Sequence, residues 1–149
     1  VICSFTSDIY RIAKLIAKQS DVTVLKVKDY IKNPKANGYK SYHMIVSVPI
    51  FLADTIVNTK VEIQIRTIAM DFWASLEHKI YYKYNREVPA DIVNGLKEAA
   101  DKVAELDYQM ASLNKEVNLL KERDIDENSQ ENDIRKYIRQ FMNIERSEG

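Results

Sequence analysis

Apolar and polar side chains alternate strictly in the segment Lys60-Val61-Glu62-Ile63-Gln64-Ile65-Arg66-Thr67. This alternation predicts a β-strand, because successive side chains of a strand point to opposite faces. One face is apolar and suits a hydrophobic core. The other face places a carboxylate, an amide and a guanidinium in a row, from Glu62, Gln64 and Arg66. Taken alone, that row is either an ordinary solvent-exposed sheet face or the floor of a polar site.

The composition is that of a globular protein with no overall charge. Of the 149 residues, 46% are hydrophobic, and 22 Lys and Arg balance 22 Asp and Glu. A neutral chain has no general attraction for nucleic acid or anionic membranes, so an anionic ligand needs a local group of cations. The single Cys3 lies in an apolar run and is expected to be a small core residue. Without disulfides or a long apolar run, we expect a cytoplasmic protein with no membrane partner.

The first half of the chain predicts strands and helices in one layered domain. Strands are predicted at residues 1–5, 22–28, 42–48 and 60–66, and helices at about 6–19 and 67–84. The simplest pairing joins 42–48 and 60–66 as an antiparallel hairpin, which puts His43 on the same side as Glu62, Gln64 and Arg66 if the register places them together. Trp73 is expected to pack the second helix on the sheet, within an apolar stripe that also contains Phe72, Leu76 and Ile80.

Residues 29–41 combine turn signals with cations and aromatic rings. Asn33-Pro34 and Asn37-Gly38 both predict turns. The cations and rings nearby are Lys28, Lys32, Lys35, Lys40, Tyr30 and Tyr39. Such a group suits a planar anion, whereas the alternative is a solvated surface loop. Weak binding of single-stranded RNA is a secondary alternative, against which the lack of an extended basic stripe argues.

The second half predicts a long helix with a heptad repeat. Apolar residues recur at alternating spacings of four and three from Ile92 to Leu120, and Asp91 is a candidate cap. This apolar stripe needs a partner, which is the sheet, the last helix or another subunit. A charged loop is predicted at 121–133 and a short helix at 131–145. The predicted domains are therefore a core at 1–88, a long helix at 89–123, and a loop with a terminal helix at 124–149.

Two of these segments resemble the synthetase domain of the RelA/SpoT family. Residues 33–43 resemble its Gly-Tyr-x-Ser-x-His segment, and Glu62-Ile63-Gln64-Ile65-Arg66-Thr67 resembles its Glu-Val-Gln-Ile-Arg-Thr strand. Residues 69–79 match the helix that follows in that family. The resemblance covers most of residues 1–123, and the chain looks like a small alarmone synthetase, the single-domain bacterial subgroup.

This resemblance implies an α+β fold, with a mixed sheet of the nucleotidyltransferase type flanked by helices. It also implies transfer of pyrophosphate from ATP to the ribose 3′-hydroxyl of GDP or GTP, with Mg²⁺. The products, ppGpp and pppGpp, are the alarmones of the bacterial stringent response. Members of the subgroup often assemble as tetramers, with which the long apolar stripe is compatible.

The acceptor site of the family maps onto seven positions of this sequence. Glu62 matches the glutamate that activates the 3′-hydroxyl, and it is also the candidate ligand for Mg²⁺. Tyr39 matches the tyrosine that stacks on guanine. The basic side of the acceptor loop, near the phosphates, corresponds to Lys35, Lys40 and His43. Gln64 corresponds to the glutamine that accompanies the catalytic glutamate, and Arg66 is a further candidate for substrate binding.

The ATP-binding basic residues and a metal-binding aspartate of the family precede the strand matched by residues 1–5. The aspartate is expected a few residues before Val1, and Val1-Ile2-Cys3 resembles the middle of a strand, so we expect the chain to begin inside a domain. Three hypotheses follow. The chain is an enzyme or its acceptor-side part, or a binding and regulatory module without the chemistry, or a helical assembly domain.

Overall fold

The structure is a computed structural model that describes residues 1–82 and 88–145. Two compact units divide the chain, Val1–Gln109 and Met110–Gly149. The first unit contains a four-stranded sheet with strands β1 (Ile2–Cys3), β2 (Thr23–Asp29), β3 (Tyr42–Phe51) and β4 (Ile56–Thr67). The helices are α1 (Thr6–Ala17), α2 (Ile68–Tyr82) and α3 (Ala90–Glu145). Residues 83–84, at the end of the helix predicted over 67–84, lie outside the described residues.

The strands lie in the order β1-β4-β3-β2. β1 pairs with β4 in parallel, whereas the other two pairs are antiparallel, so the sheet is mixed. The predicted α+β class with a mixed sheet is confirmed. The first strand is shorter than the predicted 1–5, because α1 already begins at Thr6.

The hairpin of β3 and β4 has the predicted antiparallel pairing, and both strands extend beyond the predicted bounds. Met44 pairs with Ile63 on one face, and His43 pairs with Gln64 on the other. This register therefore separates an apolar face from a polar face across the two central strands.

Helix α1 covers the apolar face of the sheet. The buried residues there are Cys3, Ile9, Ala13, Met44, Val46 and Ile65. Cys3 is thus the small core residue that the sequence predicted, and burial raises the pKa of its thiol above the ordinary value. At the start of α1, the Phe5 N–H donates to the Asp8 carboxylate at 3.3 Å and so satisfies an otherwise unpaired backbone group.

Helix α2 packs on α3 through Trp73 and Ala74, while its Met70 packs against the core of the sheet. Thr67 caps it, since its Oγ1 accepts the Met70 N–H at 3.2 Å. Trp73 is buried as predicted, but against Leu96 and Ala100 of α3, so its expected packing on the sheet is wrong. The predicted stripe is also wrong, because Phe72, Leu76 and Ile80 are 59%, 42% and 48% exposed. Both sides of α2 carry apolar residues, and the helical period alone does not decide which side is buried.

The first unit includes the beginning of α3. The helix starts at Ala90, where the Pro89 carbonyl accepts the Ile92 N–H at 3.0 Å, so Asp91 lies in the first turn rather than at the cap. Farther along, Asp107 accepts a hydrogen bond of 2.7 Å from the Thr67 hydroxyl. This bond ties α3 to the junction of β4 and α2.

The second unit is helical from Met110 to Glu145, as the continuation of α3. The loop predicted at 121–133 and the separate terminal helix are therefore wrong. These residues contain no Gly or Pro, and charged residues form stable helices with solvated faces. Glu131 and Arg135 form an ion pair of 2.7 Å one turn apart. Within residues 1–82 and 88–145, no helix combines the length and the apolar character needed to cross a membrane.

Candidate functional site

The polar face of the hairpin holds a line of hydrogen-bonded side chains. His43 Nδ1 lies 2.7 Å from Glu62 Oε1, and His43 Nε2 lies 3.0 Å from the hydroxyl of Tyr39. His43 is buried, with 6% of its surface exposed, whereas the Glu62 side chain is 47% exposed. Glu62 therefore reaches solvent with one carboxylate oxygen fixed by a buried imidazole.

Burial lowers the pKa of His43 below its ordinary value, and the charges of Arg66 and Lys35 act in the same direction. The hydrogen bond and the charge of Glu62 act against this shift. A neutral imidazole has one donor nitrogen and one acceptor nitrogen. Because a carboxylate can only accept, His43 donates from Nδ1 to Glu62 and accepts from Tyr39 at Nε2.

Arg66 is held by three neighbours at the end of the same strand face. Its Nη2 donates to the Tyr39 hydroxyl at 3.3 Å and also to Gln64 Oε1. Its Nη1 lies 3.6 Å from the carboxylate of Asp71 on α2. Asp71 was missed by the sequence reasoning, and its position in the first turn of α2 after a strand-borne arginine is the signal that could have found it.

The turn at Asn37-Gly38 forms as predicted and presents Tyr39 to the site. Gly38 has a φ of +90°, and a Cβ there would lie 2.5 Å from the Cβ of Ala100 on α3, so glycine is required on both counts. The Asn37 side-chain oxygen accepts the Tyr39 N–H at 3.1 Å. The backbone of the loop is thus hydrogen-bonded at Tyr39, the loop residue that lines the cavity.

Cations lie over the aromatic rings of the loop. Lys35 Nζ is 5.1 Å from the ring centre of Tyr30 and 4.8 Å from that of Tyr39. The Arg66 guanidinium carbon is 5.7 Å from the Tyr39 ring centre. The faces of Tyr39 therefore suit planar or cationic groups. Lys40 is half-buried and has no hydrogen bond or ion pair to the residues that the structure describes.

An open cavity of about 560 Å³ lies between the hairpin and α2. Its lining comprises Tyr39, Gln64, Arg66, Ala74, Ser75, Glu77, His78 and Lys79. The volume lies within the range of small-ligand sites. Three residues predicted from the sequence line this cavity, whereas the α2 wall was not predicted as part of the site. On that wall, Glu77 Oε1 accepts a hydrogen bond of 3.1 Å from Asn37 Nδ2.

Metal ligands are few around this site. Among the described residues, no three His, Cys, Asp or Glu side chains lie together as a metal site would require. Glu62 has one oxygen bonded to His43, which leaves the other oxygen for a ligand. Mg²⁺ is commonly held by one or two carboxylates together with water and substrate phosphates. Glu62 therefore fits Mg²⁺ as a single ligand but does not form a complete site.

Comparison with known proteins identifies the family. The family described as “Region found in RelA / SpoT proteins” matches residues 1–87. The chain belongs to the RelA/SpoT family. It is 53% identical over 117 residues to GTP pyrophosphokinase YwaC of Bacillus subtilis (strain 168), which covers 78% of this chain and 56% of that protein.

Solved structures of RelA/SpoT relatives have the same fold. The small alarmone synthetase 2 of Bacillus subtilis matches with a TM-score of 0.75 and 52% identity, over 78% of this chain and 63% of that chain. The small alarmone synthetase 1 of Bacillus subtilis bound to its product pppGpp also matches with a TM-score of 0.75, at 37% identity over 78% and 60% of the two chains. The resemblance found in the sequence is confirmed. The chain spans less than two thirds of each of these relatives.

Proposed function

We propose that this RelA/SpoT chain carries the acceptor side of (p)ppGpp synthesis, the transfer of pyrophosphate from ATP to the 3′-hydroxyl of GDP or GTP. The supporting observation is that the Glu62 carboxylate shares β4 with Gln64 and Arg66, which line the cavity, and is linked through His43 to Tyr39. The names of its relatives, GTP pyrophosphokinase and small alarmone synthetase, support the same reaction.

Glu62 acts as the base in this proposal. An alcohol is a weak nucleophile until a base removes its proton as the new bond forms. The free oxygen of Glu62 takes the 3′-hydroxyl proton, and the 3′-oxygen bonds to the β-phosphorus of ATP. The bond between that phosphorus and its bridging oxygen to the α-phosphate breaks, and its electron pair leaves with AMP. Because the buried His43 fixes the Glu62 carboxylate, the base is held at a constant distance from the acceptor hydroxyl.

The other acceptor-side residues bind and align the nucleotide. Tyr39 offers a flat ring on which guanine stacks, and the cations Lys35 and Lys40 lie on the loop where acceptor phosphates would bind. Gln64 and Arg66 line the cavity together with that ring. His43 has both ring nitrogens bonded to Glu62 and Tyr39. We therefore propose that it positions these two residues rather than binding phosphate.

We propose Mg²⁺ as the cofactor, with the free oxygen of Glu62 as one ligand. When bound, the ion would neutralise charge on the phosphates. Glu62 would then bind the ion and accept the proton of the acceptor hydroxyl one after the other, or it would contact one of them through a water molecule. Because the reaction consumes ATP and a guanine nucleotide, we place the protein in the cytoplasm and in the bacterial stringent response.

The test of this function is Glu62→Gln in the full-length protein. The exchange keeps the shape and the hydrogen bond from His43 but removes the base, so we expect pppGpp formation to fall by at least 10²-fold. Binding of GDP, measured by calorimetry, should stay within a few-fold. Glu98→Gln, the same exchange at an exposed position of α3, is the matched control. Wild-type turnover by Glu62→Gln would show that the base is wrongly assigned.

We further propose a homo-oligomer, with a tetramer favoured. In the first unit Leu106 is 56% exposed, and in the second unit Leu113 is 54% exposed, although both belong to the predicted apolar stripe. Apolar residues at this spacing on an exposed helix are typical of subunit contacts. Light scattering on a Leu106→Asp, Leu113→Asp variant should give a smaller mass than the wild type. An unchanged mass would exclude this stripe as the contact.

A binding module without catalysis is the second candidate, and its alternative ligand is single-stranded RNA. The stacking of Lys35 on Tyr30 and Tyr39 favours it, since bases stack on exposed rings beside cations. Fluorescence anisotropy with a labelled oligonucleotide decides this. Competition by GDP would place RNA and nucleotide at one site, and no binding at micromolar concentrations would remove RNA from consideration.

A further inference from the structure

The loop before β3 carries an aromatic ring to which the proposed reaction assigns no part. Tyr30 is half-buried, and its ring centre lies 5.2 Å from that of His43 and 6.0 Å from that of Tyr39. The Tyr39 and His43 rings are 5.9 Å apart, and each pair of the three rings is steeply inclined, at interplanar angles from 70° to 87°. Such edge-to-face arrangements are favourable. The three rings therefore form a packed cluster beside the Glu62 carboxylate that His43 holds.

We infer that Tyr30 is a positioning residue for the reaction, because its ring fixes the orientation of the His43 imidazole and, through it, the Glu62 carboxylate. The inference rests on the proposed function and adds a residue that acts through His43. Hydrogen bonds to imidazole nitrogens are directed within the plane of the ring, so they restrain its tilt less than its in-plane position. An aromatic ring packed against the imidazole supplies the missing restraint.

Tyr30 is itself held by the backbone on both of its sides. Its N–H donates to the Ser41 carbonyl at 3.0 Å, and the next N–H, that of Ile31, donates to Asp29 Oδ1 at 3.0 Å. The Tyr10 hydroxyl of α1 donates to the other oxygen of the Asp29 carboxylate at 3.1 Å. Helix α1, which covers the apolar face of the sheet, thus helps to place a ring on the polar side.

The ring of Tyr30, rather than its hydroxyl, makes the contacts with His43 and Tyr39. Within residues 1–82 and 88–145, the Tyr30 hydroxyl has no hydrogen bond. Tyr39 has further supports of its own, because its N–H donates to Asn37 and its hydroxyl accepts from Arg66. Tyr30 also lies nearer to His43 than to Tyr39. Loss of the Tyr30 ring should therefore reduce the rate of reaction more than the binding of GDP.

Steady-state kinetics of the full-length protein with GDP, together with calorimetric titration of GDP, test the inference. Tyr30→Leu removes the flat ring and should lower kcat for ppGpp formation by about tenfold, since small displacements of a catalytic group are costly. The KM and the Kd for GDP should stay within a few-fold. Tyr30→Phe keeps the ring and should retain the wild-type kcat. Tyr108→Leu, the same exchange at a position 76% exposed on α3, is the matched control and should change none of these constants.

A double-mutant cycle shows whether Tyr30 acts through His43. His43→Gln removes the imidazole against which Tyr30 packs, so adding Tyr30→Leu to it should lower kcat no further. Effects that multiply in the double variant would mean that Tyr30 acts elsewhere, and they would overturn the inference. Tyr30→Met fills similar space without a flat ring. It replaces Tyr30→Leu if that variant fails to show a cooperative thermal transition.

Each remaining outcome has a different meaning. If the wild type makes ppGpp and Tyr30→Leu retains its kcat, the inference is overturned while the proposed function stands. The inference is also wrong if Tyr30→Leu raises only the KM, or if Tyr30→Phe loses as much kcat as Tyr30→Leu. A wild-type protein that makes no ppGpp would contradict the proposed function, and the inference would fail with it. A fall in kcat that Tyr30→Phe does not share, at a nearly unchanged Kd, supports Tyr30 as a positioning residue.

Discussion

Two hydrophobic clusters support the candidate site, and they differ in size and closure. The cluster between α1 and the sheet contains Ile9 and Val46 with no exposed surface. The cluster between α2 and α3 has four buried members, Trp73, Ala74, Leu96 and Ala100, and it has Tyr39 at its margin. The strand residues of the site thus rest on a closed core. The loop and the α2 wall depend on a small one, so changes there should alter binding more than folding.

Ile9→Ala tests the closed core and should have the largest effect on stability. Truncating a fully buried isoleucine costs about 2–5 kcal/mol through lost burial and the cavity left behind. Urea unfolding followed by circular dichroism measures the change in the free energy of unfolding. Ile68→Ala, at a position 63% exposed on α2, is the matched control and should cost well under 1 kcal/mol. Similar losses for both variants would contradict the distinction between the clusters.

Gly38→Ala tests the contact of the loop with α3. The positive φ costs on the order of 1–3 kcal/mol for a residue with a Cβ, and that atom would also meet the Cβ of Ala100. We expect a loss of stability within that range and at least tenfold weaker GDP binding. Ala100→Gly removes the atom that Gly38→Ala meets, so the double variant should recover part of the loss. A double-mutant cycle with no coupling would mean that the loop does not rest on Ala100.

Trp73→Phe tests the hydrogen bond inside the smaller cluster. The Trp73 indole N–H donates to the Leu96 carbonyl at 3.0 Å, and such a bond contributes about 0.5–1.5 kcal/mol net. The free energy of unfolding should fall by roughly that amount. Because Tyr39 packs on the same cluster, GDP binding should weaken by a few-fold. Phe72→Leu on the exposed side of α2 should change neither quantity, and equal effects from the two variants would show that the smaller cluster does not support the cavity.

Tyr10→Phe should have the smallest effect, visible only at alkaline pH. Burial, together with the carboxylate of Asp29 at 3.1 Å from its hydroxyl, raises the pKa of Tyr10 to about 12. An unfolded tyrosine ionises near pH 10, so between about pH 10 and 12 the unfolded state releases a proton that the folded state keeps. Stability from this group is therefore present below pH 10 and is lost as the pH rises.

The measurement for Tyr10 is urea unfolding at several values between pH 8 and 11.5. Tyr10→Phe should lose less stability over this range than the wild type does. Tyr108→Phe, at a position 76% exposed on α3, should follow the wild-type curve. Parallel curves for the wild type and Tyr10→Phe would show that Tyr10 does not contribute to the alkaline loss.

The strands were predictable from the sequence because their period of two also fixes which residues share a face. Pairing 42–48 with 60–66 through their apolar faces puts His43 and Glu62 on the same side, and the register decides which residues of that side meet. The helices were less predictable, since α2 carries apolar residues on both sides and only its contact with α3 selects Trp73 over Phe72. The charged segment at 121–133 predicts a loop, but charge without Gly or Pro is equally typical of a solvated helix.

The contacts of the α2 wall were beyond the reach of sequence reasoning for another reason. Asn37 and Glu77 are 40 residues apart, and Thr67 and Asp107 are also 40 residues apart. No local pattern marks such pairs, because each depends on how a helix is placed in three dimensions. The family resemblance identified Tyr39, Gln64 and Arg66 as site residues. It did not identify Glu77 as the partner of Asn37.

The contact of Gly38 with Ala100 would link the proposed nucleotide binding thermodynamically to the position of α3. Asn37, Gly38 and Tyr39 are consecutive, so the residue that meets α3 lies between the residue that holds Glu77 and the ring that would stack on the base. A ligand that favours one placement of this turn also favours one placement of α3 in the first unit. A molecule that binds α3 near Ala100 and shifts that placement would therefore change the affinity for nucleotide. By reciprocity, nucleotide would change the affinity for that molecule by the same factor.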